Sequence, residues 1–207
     1  MMMKLVELRR WHKIKKTEIE NRLKEFKSKK NNKKIFEELC FCILTANASA
    51  RMGLKSIEAI KNKLQSGDIS DIQKGLKGRH RFYNTRARYI TQTRDYLEKK
   101  CDLNIKKLLN SFNTPEERRH FFAKTKEIKG IGYKEASHFL RNIGYSNYAI
   151  LDKHILSCLK DLKVITDKEK NYIEIEKKMR EFAKKIKINM DDLDLALWSY
   201  KTGEILK

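Results

Sequence analysis

Apolar residues recur along this chain at helical spacing, in runs set apart by short polar stretches. In the charged first 27 residues, Leu5, Leu8, Ile14, Ile19, Leu23 and Phe26 mark a helical face. Ile35 to Thr45, I-F-E-E-L-C-F-C-I-L-T, is the most apolar stretch and predicts a core helix, with another helix resuming from Met52 to Leu64. Between them Ala46 to Arg51 are small and polar, as in a loop that approaches something closely. Gly67 to Asp71 and Gly75 to Gly78 predict turns. Thr114-Pro115-Glu116-Glu117 reads as a helix start, with Pro in the first turn and acids where the helix dipole favours them. Tyr133 to Asn142 places Ala136, Phe139 and Leu140 on one face and predicts a helix closed by Gly144. Lys160 to Lys187 predicts an amphipathic helix after a turn near Thr166-Asp167. A last helix follows, capped near Asp191 and ended by Gly203. No β-type alternation and no internal repeat is present, and Pro115 is the only proline. The expectation is an all-α chain of two helical lobes with a cleft between them, the lobes being 35–125 and 126–207 with 1–34.

Composition adds a partner. Lys and Arg number 48 against 27 Asp and Glu, a formal charge of +21 with a sequence pI of about 9.8. A polyanion is the natural ligand, although a charge-rich surface is also a thermophile habit. Hydrophobic residues at 40% exclude a disordered chain. Four cysteines, at 40, 42, 101 and 158, form no Cys-x-x-Cys pair, and Cys40 and Cys42 read as buried thiols. No iron–sulfur cluster, zinc or catalytic metal is expected. No signal core or membrane span is evident, so the expected location is the cytoplasm and its nucleoid.

The chemistry concentrates in Lys126 to Leu156. A short helix enters Gly130-Ile131-Gly132, and the next helix starts at once. Glycines there let successive N–H groups point outward together and approach an anion closely, as a phosphate requires. By itself Gly-x-Gly is also an ordinary interhelical turn. Lys134 follows in the first turn of the second helix, and Asp152, in Leu151-Asp152-Lys153-His154, lies 152 − 134 = 18 residues on.

This order resembles the helix-hairpin-helix DNA glycosylase superfamily, whose lyase members carry a Lys at the place of Lys134 and an essential Asp in the loop beyond. The resemblance covers most of residues 35–160. The chain ends soon after its last helix, which is similar to the short archaeal branch specific for 8-oxoguanine. One departure is Lys129, where relatives often have Pro.

The resemblance implies Lys134 as nucleophile and Asp152 as the carboxylate that stabilises positive charge on the sugar. An amine attacks only when neutral, and an ordinary lysine is protonated at neutral pH. Lys129 and Lys153 are candidates for the positive surroundings that favour the neutral form. Lys129, Gly130, Gly132 and His154 would hold phosphate, and Asn47 would fill the hole left by an extruded base. Arg51 and Arg86 would hold the widowed cytosine, Arg86 lying in Arg79 to Ile90, a segment of four arginines among aromatics. Trp198 would stack on the damaged base and the terminal carboxylate of Lys207 would accept a hydrogen bond from it. Each has a plainer alternative: Asp152 as a helix cap, Lys134 as a surface lysine, Trp198 as core. The implied activity is removal of 8-oxoguanine from duplex DNA with strand cleavage by a monomeric enzyme. The alternatives are a glycosylase for oxidised pyrimidines and a DNA-binding module without catalysis.

Overall fold

The structure, a computed structural model, describes residues 3–206. Among the described residues there is no strand, and eleven α-helices account for the regular structure. None of these helices is long and apolar enough to cross a membrane. The chain divides into a central unit, residues 29–139, and a terminal unit, residues 1–28 with 140–207.

The central unit is built around α2 (Asn32–Thr45). Asn31 starts it by accepting the Lys34 N–H at 2.9 Å, a cap typically worth ~1 kcal/mol. Leu39, Cys40, Cys42, Ile43 and Leu44 are fully buried. Helix α3 (Ala50–Ile60), capped by Ser49, packs on α2 and leads through a short 3-10 turn into α4 (Ile69–Leu76). Helix α5 (Tyr83–Cys101) lies against α2 and α4, and α6 (Ile105–Asn110) against α2 and α5. Helix α7 (Pro115–Lys124) begins as its sequence predicts, Thr114 and Glu117 forming a capping box.

Helix α8 (Tyr133–Asn142) crosses the division between Phe139 and Leu140. The expected lobe boundaries were 34/35 and 125/126, whereas the hairpin and the start of α8 group with the central unit. The cause is local packing. Phe139 meets Phe122 of α7 with ring centroids 4.9 Å apart, and His138 meets Phe41 of α2 at 5.6 Å.

The terminal unit holds α1 (Leu5–Lys27), the end of α8, α9 (Lys153–Asp161), α10 (Tyr172–Ile186) and α11 (Met190–Thr202). Helix α1 runs along α11, where the Trp11 indole donates to Ser199 Oγ at 3.0 Å. Leu8, Ile19, Ile155, Leu159, Met179, Leu193 and Leu197 form its core, each contributing about 1.5–3 kcal/mol by leaving water.

Two predicted boundaries differ. The residues read as turns around Gly67 and Gly75 enclose α4, because Asp68 caps a helix with Asp71 in reciprocal support. The last helix is capped by Asn189, and Asp191 lies inside its first turn; Gly203 ends it at φ 77° as expected.

Candidate functional site

The hairpin is held from behind. Ile128 and Ile131 are buried, and Tyr133 at the head of α8 accepts cationic neighbours on its ring, Arg119 at 5.6 Å and Lys124 at 5.1 Å. Gly130 sits at φ 75°, and a Cβ there would come within 2.7 Å of Arg86 Nη1 and 2.8 Å of Tyr89 Cδ2. Both the backbone angle and the close approach demand glycine. Gly132 is exposed and not left-handed, and its place is different: its carbonyl accepts the Ala136 N–H at 2.9 Å, which makes it the N-cap of α8.

Lys134 occupies the first turn of α8 with 32% of its side chain exposed, and its Nζ lies 3.0 Å from Glu135 Oε1. The other oxygen of Glu135 accepts the Gly132 N–H at 3.2 Å, the reciprocal half of a capping box. Glu135 therefore ties the amine to the hairpin. An acid three residues past the cap is a recognisable signal, yet the sequence reading passed over Glu135. Lys129 is exposed beside the hairpin.

On the terminal unit, Asp152 is the N-cap of α9. Its Oδ1 accepts the His154 and Ile155 N–H groups, each at 2.9 Å, and its Oδ2 accepts the Trp198 indole N–H at 3.2 Å. Trp198 and the His154 side chain are half-buried. The segment leading to Asp152 is braced by buried acids of α10 and α11. Asn147 N–H donates to Asp191 at 2.9 Å, Ala149 N–H to Glu176 at 3.0 Å and Ile150 N–H to Asp194 at 2.8 Å. Arg141 pairs with Asp194 at 2.8 Å. Burial pushes the Asp194 carboxyl up to about 6, against the opposing pull of Arg141. Lys207 lies outside the described residues.

The remaining predicted residues belong to the central unit. Asn47 is exposed at the tip of the α2–α3 turn with φ 58°, and Arg51 is exposed in the first turn of α3. Arg86 is placed otherwise than expected for a base contact. It is 6% exposed, donates to the Ala46 carbonyl and lies over the Tyr89 ring at 5.7 Å. Burial lowers its pKa. Among the described residues no cluster of three or more His, Cys, Asp or Glu could hold a metal ion.

A helix, a glycine hairpin with a lysine in the next turn, and an aspartate capping the helix beyond define the helix-hairpin-helix DNA glycosylase class. Residues 19–188 match the family model for 8-oxoguanine DNA glycosylase, and the chain belongs to that family. It is 40% identical over 197 residues to an 8-oxoguanine DNA glycosylase/AP lyase of Methanocaldococcus jannaschii, covering 91% of each protein. A Fusobacterium nucleatum protein of the same description is 38% identical over 212 residues, with 97% of this chain and 96% of that one aligned. The fold is similar, with a TM-score of 0.85 and 37% identity, to the M. jannaschii enzyme crystallised with a 15mer DNA containing 8-oxoguanine, over 98% of this chain and 100% of that one. The branch expected from the sequence was archaeal; its relatives include bacterial proteins as well.

Proposed function

We propose that this chain excises 8-oxoguanine from duplex DNA and cleaves the resulting site as a lyase. The observation that carries this reading is Lys134 in the first turn of α8, directly behind the glycine hairpin, in a chain of the 8-oxoguanine DNA glycosylase family. A base must leave the stack before its bond to the sugar can be attacked, at a cost of a few kcal/mol. The hairpin N–H groups and Lys129 grip the backbone phosphate, and Asn47 fills the hole.

The neutral amine of Lys134 attacks C1′ as the glycosidic bond breaks and the base leaves with the bonding electron pair. Glu135, 3.0 Å from the amine, is the nearest acceptor for its proton. Asp152 offers a negative charge to the positive character that builds on the sugar. Ring opening gives a Schiff base between Lys134 and C1′. Loss of a C2′ proton then expels the 3′ phosphate, which cuts the strand. Every step draws on side chains and backbone, with neither metal nor iron–sulfur cluster.

Arg51 is our candidate for the widowed cytosine. Single-turnover cleavage of duplexes carrying one lesion each tests the substrate. Cleavage of 8-oxoguanine with oxidised pyrimidines left intact is expected. Comparable cleavage of both would move the chain to the oxidised-pyrimidine reading, and binding without cleavage to the non-enzymatic one.

A further inference from the structure

The turn that joins α2 to α3 has little backbone bonding of its own, yet the four successive carbonyls from Leu44 to Asn47 are all satisfied. Leu44 O lies 2.9 Å from His80 Nε2, and Thr45 O accepts the Ala48 N–H at 3.0 Å. Ala46 O accepts from Arg86 and Asn47 O from Arg81. Three of these four donors come from the single segment 80–86. They surround Asn47 at φ 58°, a left-handed conformation that asparagine adopts more readily than other non-glycine residues.

His80 is the most deeply buried of the three, 2% exposed against 6% for Arg86, and its hydrogen bonds leave one tautomer. The Leu44 carbonyl can only accept, so Nε2 carries the proton. The Phe82 N–H can only donate, at 3.0 Å, so Nδ1 offers its lone pair. A second ring proton would face the Phe82 N–H donor to donor. That amide lies next to Arg81, whose guanidinium stacks on the Phe82 ring at 4.5 Å and grips Asn47.

We propose that His80, Arg81 and Arg86 are positioning residues that clamp the hole-filling turn in its DNA-ready shape, and that the clamp closes only around a neutral His80. The proposal rests on Asn47 as the residue that fills the hole. Burial is the main cause of a lowered His80 pKa, with the Leu44 carbonyl opposing it. The charged groups facing the ring are Arg86 from α5 and Arg81 from the segment between α4 and α5, and both lower it further; α2 presents the Leu44 carbonyl. An imidazole that binds its proton less tightly folded than unfolded stabilises the fold fully above the ordinary value of about 6.5. That contribution is lost as pH falls below it.

The test uses the full chain carrying Lys134→Gln, so that no covalent chemistry intervenes. It is bound to a duplex with a tetrahydrofuran abasic analogue opposite 2-aminopurine, whose fluorescence reports stacking. The part of the binding signal due to hole filling is that removed by Asn47→Ala. Arg81→Ala, at an exposed position, and His80→Asn are expected to lose most of that part. Unsubstituted at His80, the protein should keep it at neutral pH and lose it only as pH falls below the ordinary histidine range, because burial lowers the His80 pKa, while His80→Asn shows no such titration. If Asn47→Ala leaves the signal intact, the hole-filling role itself fails. If Asn47→Ala removes the signal but Arg81→Ala and His80→Asn retain it, the clamp is overturned. A signal that stays unchanged as the His80 ring gains its second proton, followed by the ring's own NMR shifts, overturns the requirement for neutral His80; the titration needs no substitution at His80 and so does not depend on a variant folding.

Discussion

Asp152 does different work with each of its oxygens. Oδ1 caps α9 and so fixes the side chain, while Oδ2 receives the indole N–H of Trp198. The sequence Leu-Asp-Lys-His announces the cap, because Asp before a helix is a local signal. It cannot announce the indole, since that bond joins residues 46 apart in the chain. Trp198, read from sequence as a stacking surface, thereby acquires a second role as orienter of the carboxylate. An abasic duplex separates the two roles because it has no base to stack. Trp198→Phe keeps the aromatic face and removes the donor. The rate of Schiff-base trapping should fall on the order of tenfold or more on abasic and 8-oxoguanine DNA alike, as expected for losing a hydrogen bond to a charged group. A rate on abasic DNA equal to that of the parent, with loss only on 8-oxoguanine, would leave Trp198 as a stacking residue alone.

At the scale of the element, the two hairpin glycines carry different loads. Gly130 combines φ 75° with contacts that a Cβ would violate at 2.7 and 2.8 Å, whereas the nearest atom to a Cβ on Gly132 is Glu135 Oε2 at 3.4 Å. Gly130→Ala is expected to cost about 1–3 kcal/mol from its backbone alone, with more from the displaced Arg86 and Tyr89. Gly132→Ala should stay well below that. Thermal unfolding of both variants checks this, and equal losses would show that the hairpin treats its glycines alike.

The sequence marked this hairpin clearly, because glycine spacing and helix starts are written in neighbouring residues. Helix α4 was less legible for the same reason in reverse. Gly75 looks like a breaker, but it lies inside the helix where a Cβ would meet Ile60 Cγ2 at 2.6 Å. Close packing chose that glycine, and packing partners are not adjacent in sequence. Arg86 is similar: its segment was legible as basic and aromatic, but its burial under the Ala46 carbonyl depends on a residue 40 positions away.

For the whole molecule, the apolar spacing sufficed for an all-α chain, and the order hairpin, lysine, aspartate sufficed for the family. The division into two units was less accessible, because α8 belongs to both and no composition change marks the crossing. A charge of +21 secures DNA affinity of a salt-dependent, sequence-independent kind. Affinity therefore says little about catalysis, and a basic phosphate clamp would bind as well. Covalent capture says more. The most direct measurement is borohydride reduction during turnover of duplex DNA containing 8-oxoguanine. The parent chain should yield a stable protein–DNA adduct joined through residue 134, and Lys134→Gln should bind the same duplex yet yield none. An adduct of undiminished yield with Lys134→Gln, or none with the parent while strands are still cut, would contradict the assignment of Lys134 as nucleophile.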